Sequence, residues 1–226
     1  MATTAATGIL VCIPAYGGMM YHGCTVSLLH LERACNARGI PIGYQFMANE
    51  SLITRARNQL VHSFLGSQNS HLLFIDADIQ FDSEDILRMY DANLPLIGGL
   101  YPKKHRSAKM DFERDYAMTP LDNKTPMLTT DFINKPFQVR YVGTGMMLIQ
   151  RQVFDTMIAA GIKTYKLGAE TQYAFFDTSI AENDNSYLSE DYYFCENWRK
   201  LGGAVYVALW THCIHWGTHG YTGSPT

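Results

Sequence analysis

The chain has 226 residues, 47% apolar and 17% charged, with a formal net charge of −3. These values describe a globular chain long enough for one domain with a sizeable core, and they exclude a disordered or fibrous protein. The small negative charge offers no bulk attraction to nucleic acid or to an anionic membrane surface.

No apolar run approaches the ~20 residues that span a bilayer. The stretch 1–7 has none of the basic residues of a signal peptide, so a cytoplasmic location is expected. Five cysteines, an odd number without framework spacing, are expected as buried thiols. A zinc site from Cys195, His212, Cys213, His215 and His219 would lack any C-x-x-C pair and ranks low.

In chain order, Gly8 to Ile13 is an apolar, β-branched run ended by Pro14, hence a first strand. From His22 to Arg38, Val26, Leu29, Leu31 and Ala34 carry helical periodicity, and Gly39 ends it. Ile42 to Met47 reads as a second strand. Asn49-Glu50-Ser51 offers capping chemistry for a helix from Leu52 to Leu65, which Gly66 closes. Leu72-Leu73-Phe74-Ile75 is a third strand, apolar enough to be covered on both faces.

A helix opened by Ser83-Glu84-Asp85 runs to about Asn93, and Pro95 to Leu100 is a fourth strand. Residues 102–138 are polar and proline-containing without periodicity, a loop-rich insertion. From Gln138 the pattern resumes as strand, Gly143-Thr144-Gly145 loop, strand (Met146 to Gln150) and helix (Val153 to Ala160). Tyr173 to Phe176 is predicted as a strand and Ser189 to Leu201 as a helix with a serine cap. Ala204 to Leu209 is predicted as the last strand, before a tail rich in His, Gly and aromatics. Alternating β and α segments predict an α/β fold with a mostly parallel central sheet, in one domain spanning 1–226.

The third strand delivers Asp76-Ala77-Asp78 to the carboxyl end of the sheet, where ligands bind in such folds. In an extended segment residues i and i+2 point the same way, so both carboxylates are expected to converge on one hard divalent cation. Magnesium-type ions take one or two carboxylates and leave positions for phosphates. Alone, D-x-D is weak, because aspartate is common in turns after strands. An EF-hand reading fails: Phe81 stands where the turn glycine belongs and Leu87 where the bidentate glutamate belongs. Gly143-Thr144-Gly145 is no dinucleotide fingerprint, since Leu148 replaces the third glycine.

The order and spacing of Ile13-Pro14-Ala15-Tyr16, Arg55-Ala56-Arg57-Asn58, Asp76-Ala77-Asp78, Ser189-Glu190-Asp191 and His215-Trp216-Gly217 resemble those of GT-A fold glycosyltransferases. The likeness is to the small soluble members found in bacteria and large DNA viruses. The resemblance implies a GT-A (Rossmann-like) fold and a donor site for a nucleoside-diphosphate sugar, UDP-sugar favoured over GDP-sugar. Pro14, Ala15 and Tyr16 would form the turn that receives the base; the flat face of Tyr16 suits stacking. Arg57 with Asn58 would serve the diphosphate or base, whereas Arg55, two residues away on a helix, points elsewhere.

The resemblance also assigns Asp76 to the ribose or a metal-bound water, and Asp78 to direct ligation of manganese or magnesium. His215 would be a further protein ligand, pinning the tail over the donor. In inverting members the second acid of a Glu-Asp pair is the general base, which makes Asp191 the candidate. Glu190 and Asp191 also suit helix capping. The expected activity is metal-dependent transfer, with inversion, of a sugar to a glycan hydroxyl. Two rivals stay open. A nucleotidyltransferase would show a basic Gly-rich loop after strand one, but no Lys or Arg follows until Arg33. A non-catalytic carbohydrate- or nucleotide-binding module is the other.

Overall fold

The computed structural model describes residues 7–104, 116–121 and 133–223. Its frame is an eight-stranded sheet. In chain order the strands are β1 (Ile9–Ala15), β2 (Ile42–Ala48), β3 (His71–Ile75), β5 (Leu96–Gly99), β6 (Met118–Pro120), β7 (Pro136–Val142), β8 (Met146–Gln150) and β13 (Val205–Ala208). Their spatial order is β2-β1-β3-β8-β5-β13-β7-β6. Six of the eight strands run one way; β8 and β7 run against their neighbours. The sheet is thus mostly parallel, with two reversed strands.

Helices α1 (His22–Ala37), α2 (Ile53–Leu65), α3 (Ser83–Asp91), α4 (Arg151–Ala159) and α5 (Glu190–Lys200) cover both faces. The apolar run of β3 shows how. Leu72 and Phe74 enter one cluster with Leu60 and Phe64 of α2, Phe154 of α4 and Phe194 of α5. Leu73 and Ile75 enter the other, with Leu28 and Leu31 of α1 and Ile86 of α3. Successive side chains of a strand face opposite sides, so a strand buried on both faces must be apolar throughout. Each fully buried large side chain contributes roughly 1.5–3 kcal/mol.

Several elements differ from expectation. β1 runs through Pro14 to Ala15, because β3 pairs only with Ile9 to Cys12 and the missing N–H of Pro14 meets no partner strand there. On α1, Val26 and Leu29 are exposed, and the buried face is Cys24, Ser27, Leu28, Leu31 and Cys35. Tyr173 ends a hairpin, β9 (Thr164–Leu167) with β10 (Glu170–Tyr173), rather than starting a strand. A two-residue pair, β11 (Ser179–Ile180) with β12 (Tyr187–Leu188), precedes α5. The 102–138 segment supplies β6 and the start of β7 to the sheet edge; its residues 105–115 and 122–132 lie outside the described residues.

β13 is not the last strand. The tail forms β14 (Cys213–Trp216) and β15 (Gly220–Gly223), which join β4 (Ile79–Phe81) in a second sheet. Backbone pairing therefore docks the tail beside β4. Trp216 reinforces it: its indole N–H donates to Gln80 Oε1 at 3.0 Å, and its backbone N–H donates to the Asp78 carbonyl at 2.8 Å. Gly23 on α1 has no side chain because a Cβ there would lie 2.8 Å from the indole nitrogen of Trp216. All five cysteines are buried free thiols. Among the described residues no helix is long and apolar enough to cross a membrane.

Candidate functional site

At the carboxyl ends of β1 and β3 lies a cavity of about 470 Å³, lined by Pro14, Tyr16, Met19, Tyr21, Ile53, Arg57, Asp76, Ala77, Asp78 and Glu190. One wall is apolar and open: Tyr16 is 73% exposed and Met19 77%. The opposite wall carries charge. Ala15 is buried behind the lining, its backbone paired with Ala48.

The acids of Asp76-Ala77-Asp78 both line the cavity but take different partners. β3 stops at Ile75, and the Asp76 carbonyl accepts the Ile79 N–H at 3.0 Å, closing a turn into β4. The period-two rule needs an extended chain, which this turn breaks. Asp76 turns to Arg57, whose Nη2 donates to Asp76 Oδ1 at 2.9 Å. Asp78 turns to the tail: Oδ1 lies 3.5 Å from His215 Nε2, and Oδ2 accepts from Lys104 Nζ at 2.5 Å. Burial works to raise the Asp78 carboxyl, but His215 and Lys104 outweigh it and hold it below the usual range. Among the described residues, no three His, Cys, Asp or Glu side chains gather as one ligand set. Of the expected trio Asp76, Asp78 and His215, the structure sets Asp78 and His215 face to face and pairs Asp76 with Arg57.

That pair suits a divalent ion. His215 Nδ1 faces the Pro102 carbonyl at 2.8 Å. A carbonyl only accepts, so Nδ1 carries a proton and Nε2 is the ring nitrogen turned to Asp78. A lone pair and a carboxylate oxygen facing each other need a cation or a proton between them. Imidazole nitrogen with carboxylate oxygen is a donor set suited to manganese.

Arg57 is the buried centre of the charged wall. Besides Asp76, it donates from Nε to Glu190 Oε1 at 3.3 Å, and its guanidinium lies 5.1 Å from the Phe74 ring centroid. Its side chain is 3% exposed. Burial opposes its charge, but Asp76 and Glu190 outweigh that and raise its pKa. Nη1 is buried without a partner, a donor left for a ligand oxygen. Arg55 is held by Glu50, at 2.6 and 2.7 Å, and Glu50 also accepts the Leu52 N–H at the start of α2.

Asn58 is not brought to the cavity. It is buried, and its amide donates to the Phe176 carbonyl at 3.0 Å and accepts the Phe176 N–H at 2.9 Å. Both ends are committed to tying α2 to that backbone, so none is free for a nucleotide. Asp191 sits one residue beyond Glu190 at the start of α5 and is not among the cavity-lining residues. Its Oδ1 accepts from Ser189 Oγ and, at 2.8 Å, from the Tyr192 N–H. Burial, then the charge of Glu190, pushes its carboxyl up to about 6.

Two supporting residues lie outside the expected site set. Tyr101, fully in the core, accepts the Gly145 N–H at 3.0 Å and sets its ring edge-on to His215, centroids 5.6 Å apart. Gly145 in turn accepts the Asp76 N–H at 3.0 Å. A Cβ on Gly145 would lie 2.7 Å from the Tyr101 ring, which is why this loop is glycine-rich. Lys104 was hidden in a polar segment without periodicity.

The fold is shared with solved structures. A197 from STIV superposes with a TM-score of 0.59 at 16% identity, covering 96% of this chain and 90% of that one. GalNAc-T7, crystallised with UDP, GalNAc and Mn2+, superposes with a TM-score of 0.55 at 12% identity, covering 98% of this chain and 46% of that one. No family model and no curated protein sequence matches the chain. The architecture is the GT-A fold, an α/β fold with a mostly parallel central sheet flanked by helices.

Proposed function

We propose that this chain is a metal-dependent glycosyltransferase that moves a sugar, with inversion, from a nucleoside-diphosphate sugar to a glycan hydroxyl, acting as one domain. The observation that carries the reading is the facing pair of His215 Nε2 and Asp78 Oδ1, 3.5 Å apart, with Asp78 in the wall of a cavity of about 470 Å³. Asp78 and His215 would hold manganese or magnesium, which supplies Lewis-acid neutralisation of the departing diphosphate. The exposed Tyr16 ring gives the base a face to stack on, and the unpartnered Nη1 of Arg57 gives a donor oxygen a partner. The UDP and Mn2+ bound by GalNAc-T7 favour a UDP-sugar here.

In this reading Asp191 takes the proton of the acceptor hydroxyl as that oxygen bonds to the anomeric carbon and the bond to the diphosphate breaks. A base raised to about 6 is ionised at neutral pH yet basic enough to accept that proton. Glu190 stays on Arg57 and keeps the start of α5 at the cavity wall.

Calorimetric titration with UDP and GDP, each with manganese and with EDTA, tests this. UDP should bind with manganese and lose affinity in EDTA, and Asp78→Asn should lose the manganese dependence. Binding indifferent to EDTA and to Asp78→Asn refutes the metal site.

A further inference from the structure

Lys104 is a charged group at this site that the proposed reaction leaves unused. It follows Pro102, whose carbonyl faces His215 Nδ1, so one short segment supplies one neighbour of Asp78 and orients the other. The lysine stem passes over the tail: a Cβ on Gly217 would lie 3.2 Å from Lys104 Cδ. Both oxygens of Asp78 are therefore addressed, Oδ2 by the ammonium at 2.5 Å and Oδ1 by the imidazole at 3.5 Å.

This ion pair is of a different kind from that of Arg57. The Lys104 side chain is 38% exposed and that of Asp78 is 26%. A half-exposed ammonium on a flexible four-carbon stem gives up its partner readily, because water replaces the lost hydrogen bond. A divalent ion on Asp78 would draw on the same carboxylate charge, and two cations so placed repel one another. The displaced ammonium remains tethered at the wall of the donor cavity. A sugar diphosphate gains negative charge as its bond to the sugar breaks, and the charge of Arg57 is already shared with Asp76 and Glu190 although its Nη1 is free to donate.

We propose that Lys104 is an exchangeable cation, neutralising Asp78 in the ligand-free protein and passing to the donor diphosphate when a divalent ion takes Asp78. The inference rests on the donor-site reading above. It predicts opposite effects of one substitution. Lys104→Met keeps the stem and removes the charge. It should bind manganese alone about tenfold more tightly than the parent protein, and UDP at saturating manganese about tenfold more weakly.

Manganese binding is read by electron paramagnetic resonance of the free ion, and UDP binding by calorimetry. A misfolded variant would lose both affinities, so a gain in one with a loss in the other is a signature that unfolding does not mimic. Lys104→Arg, which keeps the charge, should stay near the parent protein in both. If the parent protein binds both ligands and Lys104→Met matches it in either affinity, the exchange is overturned while the donor site stands. If neither protein binds manganese or UDP, the donor-site reading and this inference fall together.

Discussion

Replacing Arg57 with methionine removes one cation from a wall that holds several acids. The side chain is 3% exposed and serves Asp76 and Glu190 together, while those partners are 31% and 15% exposed. Breaking a buried ion pair from one side costs about 3–5 kcal/mol, because the remaining charge stays desolvated. Water reaches Asp76, so the lower end, about 3 kcal/mol, is expected. The loss should depend on pH, and the sign follows from Asp191. Its carboxyl already lies near 6, and Arg57 is among the groups pulling it down. Without Arg57 it rises further. An acid raised in the folded state stabilises fully below its ordinary pKa and loses that contribution as pH rises through the folded value. Urea unfolding should therefore show a larger deficit at pH 8 than at pH 5. A deficit under about 1 kcal/mol at pH 8, or one equal at both pH values, would refute the account of Arg57 as the charge centre of the wall.

Two further outcomes follow from the same structure. Asp191→Asn should retain manganese-dependent UDP binding while transfer falls by about 10²–10⁴-fold. If the proposed transfer holds, the parent protein should lose kcat/KM on the acid side near pH 6, where Asp191 gains its proton, and the variant should not show that limb; normal transfer by the variant would remove Asp191 as base. His71, buried on β3 beside Tyr90, has its imidazole pushed down to about 4 by burial. Its contribution is present above the ordinary value near 6.5 and lost as pH falls through 4, about 3 kcal/mol in all. His71→Phe should flatten stability against pH in that window, and an unchanged slope in urea titrations would exclude His71 as its source.

What was legible in the sequence followed from burial. The run Leu72 to Ile75 reads as a strand covered twice because both faces of β3 must be apolar. The acids after it are equally legible as residues, but not their directions, since the turn from Asp76 to Ile79 is a backbone event that side-chain period does not report. The buried face of α1 was misread because Cys24, Ser27 and Cys35 carry as much of it as leucines do. β4 shows the right alternation, buried Ile79 and Phe81 around Gln80, but three residues are too few to register as a strand. Its partner β14 lies over 130 residues away, so no local pattern could pair them. Asn58 illustrates the converse error. Its place beside Arg57 suggested a shared ligand, yet neighbours on a helix point about 100° apart, and that rotation sends Asn58 to Phe176.

The two cations of the site divide it by solvent access. Arg57 and its acids lie where desolvation makes separation costly, so that half is a fixed scaffold that places Asp76 and Glu190 whatever enters the cavity. Lys104 and Asp78 lie where water can replace either partner, so that half can be rearranged by a ligand at small cost. Asp76, Asp78 and Glu190 line the cavity, with Asp191 behind them, so carboxylates outnumber these two cations. Such a wall repels a diphosphate unless positive charge is added, and the exchangeable half is where it can be added without disturbing the scaffold. On the proposed reading, a requirement for a divalent ion would follow from how this chain distributes charge between its buried and exposed pairs. Burying Lys104 as deeply as Arg57 would leave that charge balance unchanged and remove the exchange, because separating the pair would then carry the cost of a buried ion pair.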